Sequence, residues 1–231
     1  MPLFDLAASS SLGSLLGMRH ALEPDHLAAV STLVTRERSS YRAALLGAWW
    51  GIGHTLSLLA VGIALVVLRA ELPPRAADLF EFFVALMLVT LGIRAVYLAA
   101  RQGPAGPTHM HHHGAVVHAH SGVHGHVHVG RWTLARRPLL VGAIHGLAGS
   151  GALTALVLTT LPTTAARLTY MLVFGIGSTA GMAILSSLLG WPLARLQSHA
   201  GIARGVSALV GFVSIGLGLF WGYQPIAQLL R

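Results

Sequence analysis

The sequence contains no cysteine and no lysine, and only 10% of its residues are charged. The lack of cysteine excludes disulfide bonds, thiolate metal sites and iron–sulfur clusters. A soluble domain carries about 25% charged residues, so this chain has too few to cover a surface in water. Hydrophobic residues make up 54% of its 231 positions. Because one bilayer crossing takes about 20 apolar residues, the chain is predicted to be an integral membrane protein with about six or seven spans.

Motifs of several enzyme classes are also missing. The chain has no P-loop for ATP hydrolysis, no His-Glu-x-x-His motif of zinc proteases and no Gly-x-Ser-x-Gly elbow. The N-terminus has neither a basic region nor a small-residue cleavage site, so no signal peptide is expected. The sequence therefore favours a membrane protein that is not an enzyme.

Hydrophobic runs separated by Arg, Pro and Gly clusters predict an all-α membrane protein with six transmembrane helices. The fifteen basic residues are all arginine, against seven acids. This excess is typical of orientation signals and lipid-headgroup contacts, and nucleic-acid binding is not expected. The predicted spans are 8–34, 42–68, 77–100, 138–161, 165–194 and 203–223.

The arginines are distributed unevenly between the two sides of these spans. The connectors after the first, third and fifth spans hold nine of them, and the opposite side holds four. Under the positive-inside rule, both termini are predicted to lie outside and the long connector 101–137 in the cytoplasm. The expected location is the plasma (inner) membrane of a prokaryote.

An internal repeat relates the two halves at an offset of 124–125 residues. Residues 17–22 align with 142–147, 51–55 with 175–179, and 90–92 with 214–216. Because each half has three spans, the halves must run in opposite directions, which is a transporter design with its site near midplane. We predict a 3+3 inverted repeat made of residues 1–100 and 138–231, joined by a histidine-rich loop at 101–137.

The first span carries an unusual group of ionisable residues. His20, Asp25 and His26 lie in an otherwise apolar run, and ionisable groups within a membrane usually mark functional sites. Pro24 lacks an N–H and clashes with the carbonyl four residues back, so we expect the helix to break there and the three side chains to converge. Two imidazoles and a carboxylate suit Ni²⁺, Co²⁺ or Zn²⁺.

Charged neighbours allow a second interpretation of the same segment. Arg19 and Glu23 have the i,i+4 spacing of a structural salt bridge, which is the alternative to a metal site. The two interpretations are compatible if Arg19 or Arg94 neutralises Glu23 while Asp25 binds metal. Glu81, near the outer end of the third span, is a lesser candidate or an interface residue.

Two more histidines lie in later spans. His54 follows glycines that permit close helix approach, and is either a ligand or a packing residue. His145 is the repeat mate of His20 in a small-residue run, and either binds the metal or orients it. Ser178 replaces His54 in the second half and is expected to pack. Five aromatic residues are expected to be mainly interfacial anchors: Trp49, Trp50, Trp191, Trp221 and Tyr223.

Nine of the fourteen histidines lie in the long connector. Such tracts bind metal by composition alone, without a packed core. We expect weak metal buffering or sensing on the cytoplasmic side, distinct from the transport site; a neutral linker or an expression tag is the alternative. These residues are His109, His111, His112, His113, His118, His120, His124, His126 and His128.

These motifs resemble the nickel/cobalt transporter (NiCoT) family and its shorter relatives, the urease-associated nickel permeases. The resemblance rests on His20, Asp25 and His26 in a His-x4-Asp-His pattern, and on the segments 53–55 and 145–150. It implies passage of nickel or cobalt, with the His-x4-Asp-His residues essential.

Two departures from the family pattern limit what the resemblance implies. Longer members have eight spans and read His-Ala-x-Asp-Ala-Asp-His, whereas this chain has six predicted spans and Glu23-Pro24 in place of Asp-Ala. The shorter layout fits a related branch. Some relatives with histidine-rich loops export metal, so the direction of transport stays open.

The leading interpretation is a secondary transporter for Ni²⁺, with Co²⁺ as a second cargo and no prosthetic group. Uptake is favoured because an inside-negative potential assists a divalent cation by about 4–5 kcal/mol per 100 mV. The alternatives are an efflux permease, a haem or electron-transfer protein with His20, His54 or His145 as axial ligands, and a metal sensor built on the loop histidines. The expected partners are the lipid bilayer and the metal ion, and a homo-oligomer is left open.

Overall fold

The computed structural model describes residues 3–35, 37, 39–68, 70, 72–101, 109–113, 116–120, 127–129, 132–134, 136–161 and 163–229, with the backbone alone at 3–10, in the strands between 109 and 134, and at 149–160. Seven helices form the described bundle. They are α1 (Leu3–His20), α2 (Pro24–Val34), α3 (Ser40–Leu68), α4 (Pro74–Arg101), α5 (Arg136–Thr160), α6 (Thr164–Leu196) and α7 (Ala200–Leu229).

The first predicted span is two helices separated by a short turn. α1 ends at His20, and α2 begins at Pro24. Glu23 has φ −63° and ψ 146°, the extended backbone that a following proline imposes on its neighbour. Because Pro24 occupies the first helical position of α2, its missing N–H costs the helix no hydrogen bond. The predicted break is therefore confirmed, and Pro24 acts there as the first residue of a new helix.

The other five predicted spans each correspond to one helix. Within the described part of the chain, four helices are long and apolar enough to cross a membrane: α3, α4, α6 and α7. Large apolar side chains on these helices are exposed, among them Leu56, Val67 and Phe220. An extensive exposed apolar surface is what a lipid environment requires. The expectation of an all-α membrane protein is met by this helical bundle.

The helices pack in a small number of pairs. α3 packs against α5 and α6, α1 packs against α6, and α4 packs against α7. At the centre, the Thr55 hydroxyl lies 3.0 Å from the Thr179 hydroxyl and donates to the Gly175 carbonyl at 2.9 Å. The buried core around this contact contains Leu58 and Met182. The α3–α6 pair thus forms the middle of the bundle.

The histidine-rich segment contains local structure that the sequence did not predict. Its described parts are two antiparallel hairpins, where we expected a linker without regular structure. Valine-containing stretches such as 116–117 favour strands, and this preference was overlooked. The strands are β1 (His109–His113), β2 (Val116–His120), β3 (Val127–Val129) and β4 (Trp132–Leu134).

Candidate metal centre

The break between α1 and α2 lies beside the middle of the bundle, where four helices bring donor groups together. His20 ends α1, Asp25 and His26 lie in the first turn of α2, His54 lies at the midpoint of α3, and His145 comes from α5. His26, His54 and His145 are at most 1% exposed. All five predicted ligands therefore belong to one cluster.

Three imidazoles form the first part of the cluster. The Nε2 atoms of His20 and His54 are 3.3 Å apart, and the ring centroids of His20 and His26 are 4.4 Å apart. One donor nitrogen from each of the three histidines lies within 4.8 Å of the others. Nitrogens that share a metal at about 2.1 Å lie about 3.0–3.4 Å apart, depending on the angle. The His20–His54 separation therefore suits two ligands of one ion.

Asp25 joins the other two imidazoles. Its Oδ1 lies 2.9 Å from His26 Nδ1, and its Oδ2 lies 2.9 Å from His145 Nε2. The backbone N–H of His26 also donates to Oδ1 at 2.9 Å. A carboxylate that accepts from one ring nitrogen fixes the tautomer and leaves the other nitrogen as a lone pair for a metal. Asp25 can therefore orient two imidazoles at once, or bind an ion with them.

Several buried ring nitrogens in the cluster have no partner. Among the described residues, none forms a hydrogen bond with His26 Nε2, His54 Nδ1 or His145 Nδ1. A buried polar atom without a partner costs about 1–3 kcal/mol. Such atoms call for an explanation, and a metal-binding role is one that suits imidazole chemistry.

Glycines allow α5 to approach α3 at this level. A Cβ added at Gly142 would overlap the carbonyl oxygen of Trp50, and one at Gly146 would overlap that of His54. A Cβ at Gly53 would overlap the Leu139 carbonyl from the other side. The small residues are therefore required where two histidine-bearing helices meet, as helix packing in membranes commonly requires.

A cavity of about 480 Å³ opens beside the cluster. His20, Asp25, His26 and His145 are among its lining residues. α4 and α7 supply much of the remaining wall. The cavity therefore borders four of the five clustered residues.

Comparison with known proteins agrees with this donor chemistry. Residues 7–217 match the family model NicO, described as high-affinity nickel-transport protein. The chain belongs to this family. The chain is 34% identical over 224 residues to the urease accessory protein UreH of Bacillus sp. (strain TB-90), which covers 95% of this chain and 92% of that protein. It is 24% identical over 218 residues to the chloroplast protein FOR GROWTH AND FERTILITY 2 of Arabidopsis thaliana, covering 93% of this chain and 56% of that protein.

Membership of the nickel-transport family establishes the general function. The protein is a multi-pass membrane transporter, and the nickel ion is its substrate. The resemblance seen in the sequence is confirmed. No solved structure matches the chain.

The sequence predicted that Arg19 or Arg94 neutralises the charge of Glu23, but in this NicO chain Glu23 pairs with a histidine. The Glu23 carboxylate lies 2.9 Å from His20 Nδ1. Among the described residues, no ion pair joins it to Arg19, which is exposed on α1. Arg94 lines a small crevice together with Thr32 and Thr35, at the C-terminal end of α2.

Trp50 is a residue whose place the sequence did not indicate. It was expected at the membrane interface, but it is fully buried. Its ring centroid lies 5.5 Å from that of His26 and 5.7 Å from that of His145. The neighbouring Gly51-Ile52-Gly53-His54 segment was the available signal, because it marks this stretch of α3 as tightly packed. Trp221 lines the cavity.

The loop histidines are described only in part. His124 and His126 fall outside the described residues, and the other seven lie on the strand backbones. Their role in metal buffering stays a prediction.

Proposed function

We propose that the protein takes up Ni²⁺ through the buried cluster of His20, Asp25, His26, His54 and His145. The observation that carries the proposal is the set of buried imidazole nitrogens without partners, gathered around a helix break beside a cavity. Broken helices near midplane are where transporters bind ions. His54 lies at the midpoint of a 29-residue helix, which supports a midplane position.

His26 is proposed as the central ligand because it belongs to both halves of the cluster. It lies within donor distance of His20 and His54 on one side, and of Asp25 and His145 on the other. Imidazole nitrogens bind Ni²⁺ more tightly than Co²⁺ in the usual order of divalent metals. We therefore propose Ni²⁺ as the preferred cargo and Co²⁺ as a weaker one.

The bundle is proposed to be a 3+3 inverted repeat in which α1 and α2 together correspond to α5. Helix contacts that recur at the offset of 124–125 residues support it. In each matched pair, a Cβ added to a glycine would overlap a carbonyl oxygen of the facing helix. Gly17, in the first half, faces the carbonyl of Phe174, and its repeat mate Gly142 faces that of Trp50. Likewise, Gly53 faces the carbonyl of Leu139, and its repeat mate Gly177 faces that of Ser14.

A two-fold axis is expected to pass between the middle helices. Thr55 and Thr179 are 124 residues apart and touch each other, as equivalent residues on such an axis do. Rocking of the two halves about this axis would expose the cluster to each side in turn.

The arginine distribution supports an orientation with both termini outside and the histidine-rich loop in the cytoplasm of a prokaryote. In this orientation α4 begins and α7 ends on the outer side, so their cavity opens outward. The inside-negative potential then favours entry of Ni²⁺ by about 4–5 kcal/mol per 100 mV. The loop histidines would hold ions that have already entered.

The test is Ni²⁺ flux into proteoliposomes that contain a nickel-sensitive dye, with a defined membrane potential. Wild type should show uptake that rises when the interior is made negative. His26→Ala should reduce the flux at least tenfold. Loss of a residue that only hydrogen-bonds to a metal ligand already lowers metal affinity or activity about 10–100-fold. His199→Ala, in the turn between α6 and α7, is the matched control and should retain flux.

Equal flux for wild type and His26→Ala would remove the cluster from the mechanism. Flux driven outward against the potential by a proton gradient would instead establish efflux.

A further inference from the structure

The wall of the outer cavity contains a regular face of α4. Glu81, Val84, Ala85 and Leu88 all line it, at the spacing of one helical face. Glu81 and Leu88 are seven positions apart, so they are separated by about 10 Å along the helix axis. Gln224 of α7 lines the same cavity. Glu81 is exposed, whereas Leu88 and the lining residues His26 and His145 are buried, so Glu81 lies toward the mouth and these histidines toward the inner end.

The charges of this cavity are opposite to those of the chain as a whole. The protein has a formal net charge of +8, with fifteen arginines and seven acids. Three of the seven acids line the cavity, namely Glu23, Asp25 and Glu81, and no arginine is among the described lining residues. A cleft lined by one sign of charge concentrates its counterion and raises the association rate.

Glu23 and Glu81, two of the carboxylates that line the cavity, differ in their surroundings. Glu23 is 52% exposed and pairs with His20, the outermost histidine of the cluster. Glu81 is exposed and forms no hydrogen bond or ion pair with any residue in the described part of the chain. At the inner end, His26 and His145 are buried and each has one ring nitrogen without a partner.

We propose that Glu81, together with Glu23, captures the hydrated divalent cation at the mouth of the cavity before it reaches the histidine cluster. This step rests on the proposed function and adds a specific role to a residue outside the His/Asp site. A carboxylate retains a hydrated ion through its water molecules, whereas the imidazoles require partial dehydration. Glu81 therefore determines how readily the ion is captured, and the histidines determine whether it is transported.

The matched experiment compares Glu81→Gln with Asp78→Asn in the same flux assay. Asp78 is one turn earlier on α4 and carries the same charge, but it does not line the cavity. Glu81→Gln should raise the KM for Ni²⁺ about tenfold and leave Vmax within about twofold, because charged clefts contribute tenfold or more to capture. The KM of wild type should rise with ionic strength more steeply than that of Glu81→Gln. Asp78→Asn removes a like charge one turn away and outside the cavity wall, so it should change KM and its salt dependence less than Glu81→Gln does.

The outcomes distinguish this proposal from the proposed function. An unchanged KM for Glu81→Gln, while His26→Ala abolishes flux, overturns the capture role and leaves the histidine site intact. A loss of Vmax with unchanged KM would also overturn it, because Glu81 would then act in transport. Equal flux in His26→Ala and wild type would contradict the proposed site itself.

A second measurement keeps the proposal testable if Glu81→Gln is poorly folded. The chain has no cysteine, so Gln224→Cys introduces a single thiol at an exposed position of the cavity wall. A membrane-impermeant maleimide should label it from the outer side, and Ni²⁺ should slow the labelling. Tyr223→Cys, exposed on the same helix but absent from the cavity wall, should be unaffected by Ni²⁺. Labelling of Gln224→Cys that Ni²⁺ does not change would contradict capture in this cavity.

Discussion

Asp25 determines the geometry of the cluster more than any other single residue. Its two carboxylate oxygens each lie 2.9 Å from an imidazole nitrogen, one on α2 and one on α5. The two helices come from different halves of the chain, so one side chain connects the halves at the level of the ion. A neutral side chain of the same size can accept with only one oxygen.

Asp25→Asn should therefore lower Ni²⁺ transport about 10–100-fold at subsaturating metal, as loss of an outer partner does in metal sites. The amide oxygen can serve either His26 or His145, and the other imidazole loses its fixed orientation. Ni²⁺ flux and calorimetric Ni²⁺ affinity should fall together. Wild-type affinity in this variant would show that the carboxylate neither orients nor binds.

Trp50 supplies a binding signal that is independent of transport. Its ring lies 5.5 Å from His26, and a paramagnetic Ni²⁺ ion held by the cluster would quench indole fluorescence at that range. Trp50→Phe should remove most of the quenching that Ni²⁺ produces in detergent. Trp191→Phe, whose exposed ring instead contacts Arg195 at 3.8 Å, should leave the quenching unchanged. Equal quenching in both variants would place the ion elsewhere.

At the scale of the helices, small residues set how closely the histidine-bearing elements approach. Gly142 of α5 faces the Trp50 carbonyl of α3, one turn before His145. Any Cβ at this position must push the two helices apart. The separation of His145 from Asp25 would then increase, although neither residue has been changed.

Gly142→Ala should therefore destabilise the protein by about 1–3 kcal/mol, the usual cost of overpacking. It should also reduce Ni²⁺ affinity. Gly216→Ala is the matched control, because a Cβ there meets nothing within 4 Å. That change should be neutral or stabilise by about 0.5–1 kcal/mol, since alanine favours a helix interior. Thermal unfolding in detergent measures both, and equal loss in the two variants would rule out the close-approach argument.

The helices show what the sequence could and could not predict. Hydrophobic runs predicted where the helices lie and Pro24 predicted the break, because both depend on local chemistry. The five donors were predicted because ionisable residues are rare within a membrane. The burial of Trp50 and the pairing of Glu23 with His20 were missed. They depend on which helix faces which, and a single sequence carries little information about that.

At the scale of the whole molecule, two similar halves are proposed to build a single site. His145 is the repeat mate of His20, so this one repeat position contributes an imidazole from each half to the same cluster. The remaining donors are not duplicated: Ser178 is the counterpart of His54, and Ser150 and Gly151 are the counterparts of Asp25 and His26. Ser178 is buried, and its hydroxyl has no partner among the described residues. In this proposal the repeat supplies the moving scaffold, and the sequence differences between halves supply the chemistry.

This asymmetry predicts one tightly bound Ni²⁺ per chain, although the proposed repeat has two related halves. Calorimetry on the full-length protein should show one tight site and further weak binding to the loop histidines. Replacing the nine loop histidines with alanine should remove the weak binding and keep the tight ion, because the proposed tight site consists of His20, Asp25, His26, His54 and His145. Two tight ions in the loop variant would mean that the second half forms a site without His54, Asp25 or His26 equivalents. Loss of the tight ion would place the principal site in the loop, and the buried imidazoles would then need another explanation.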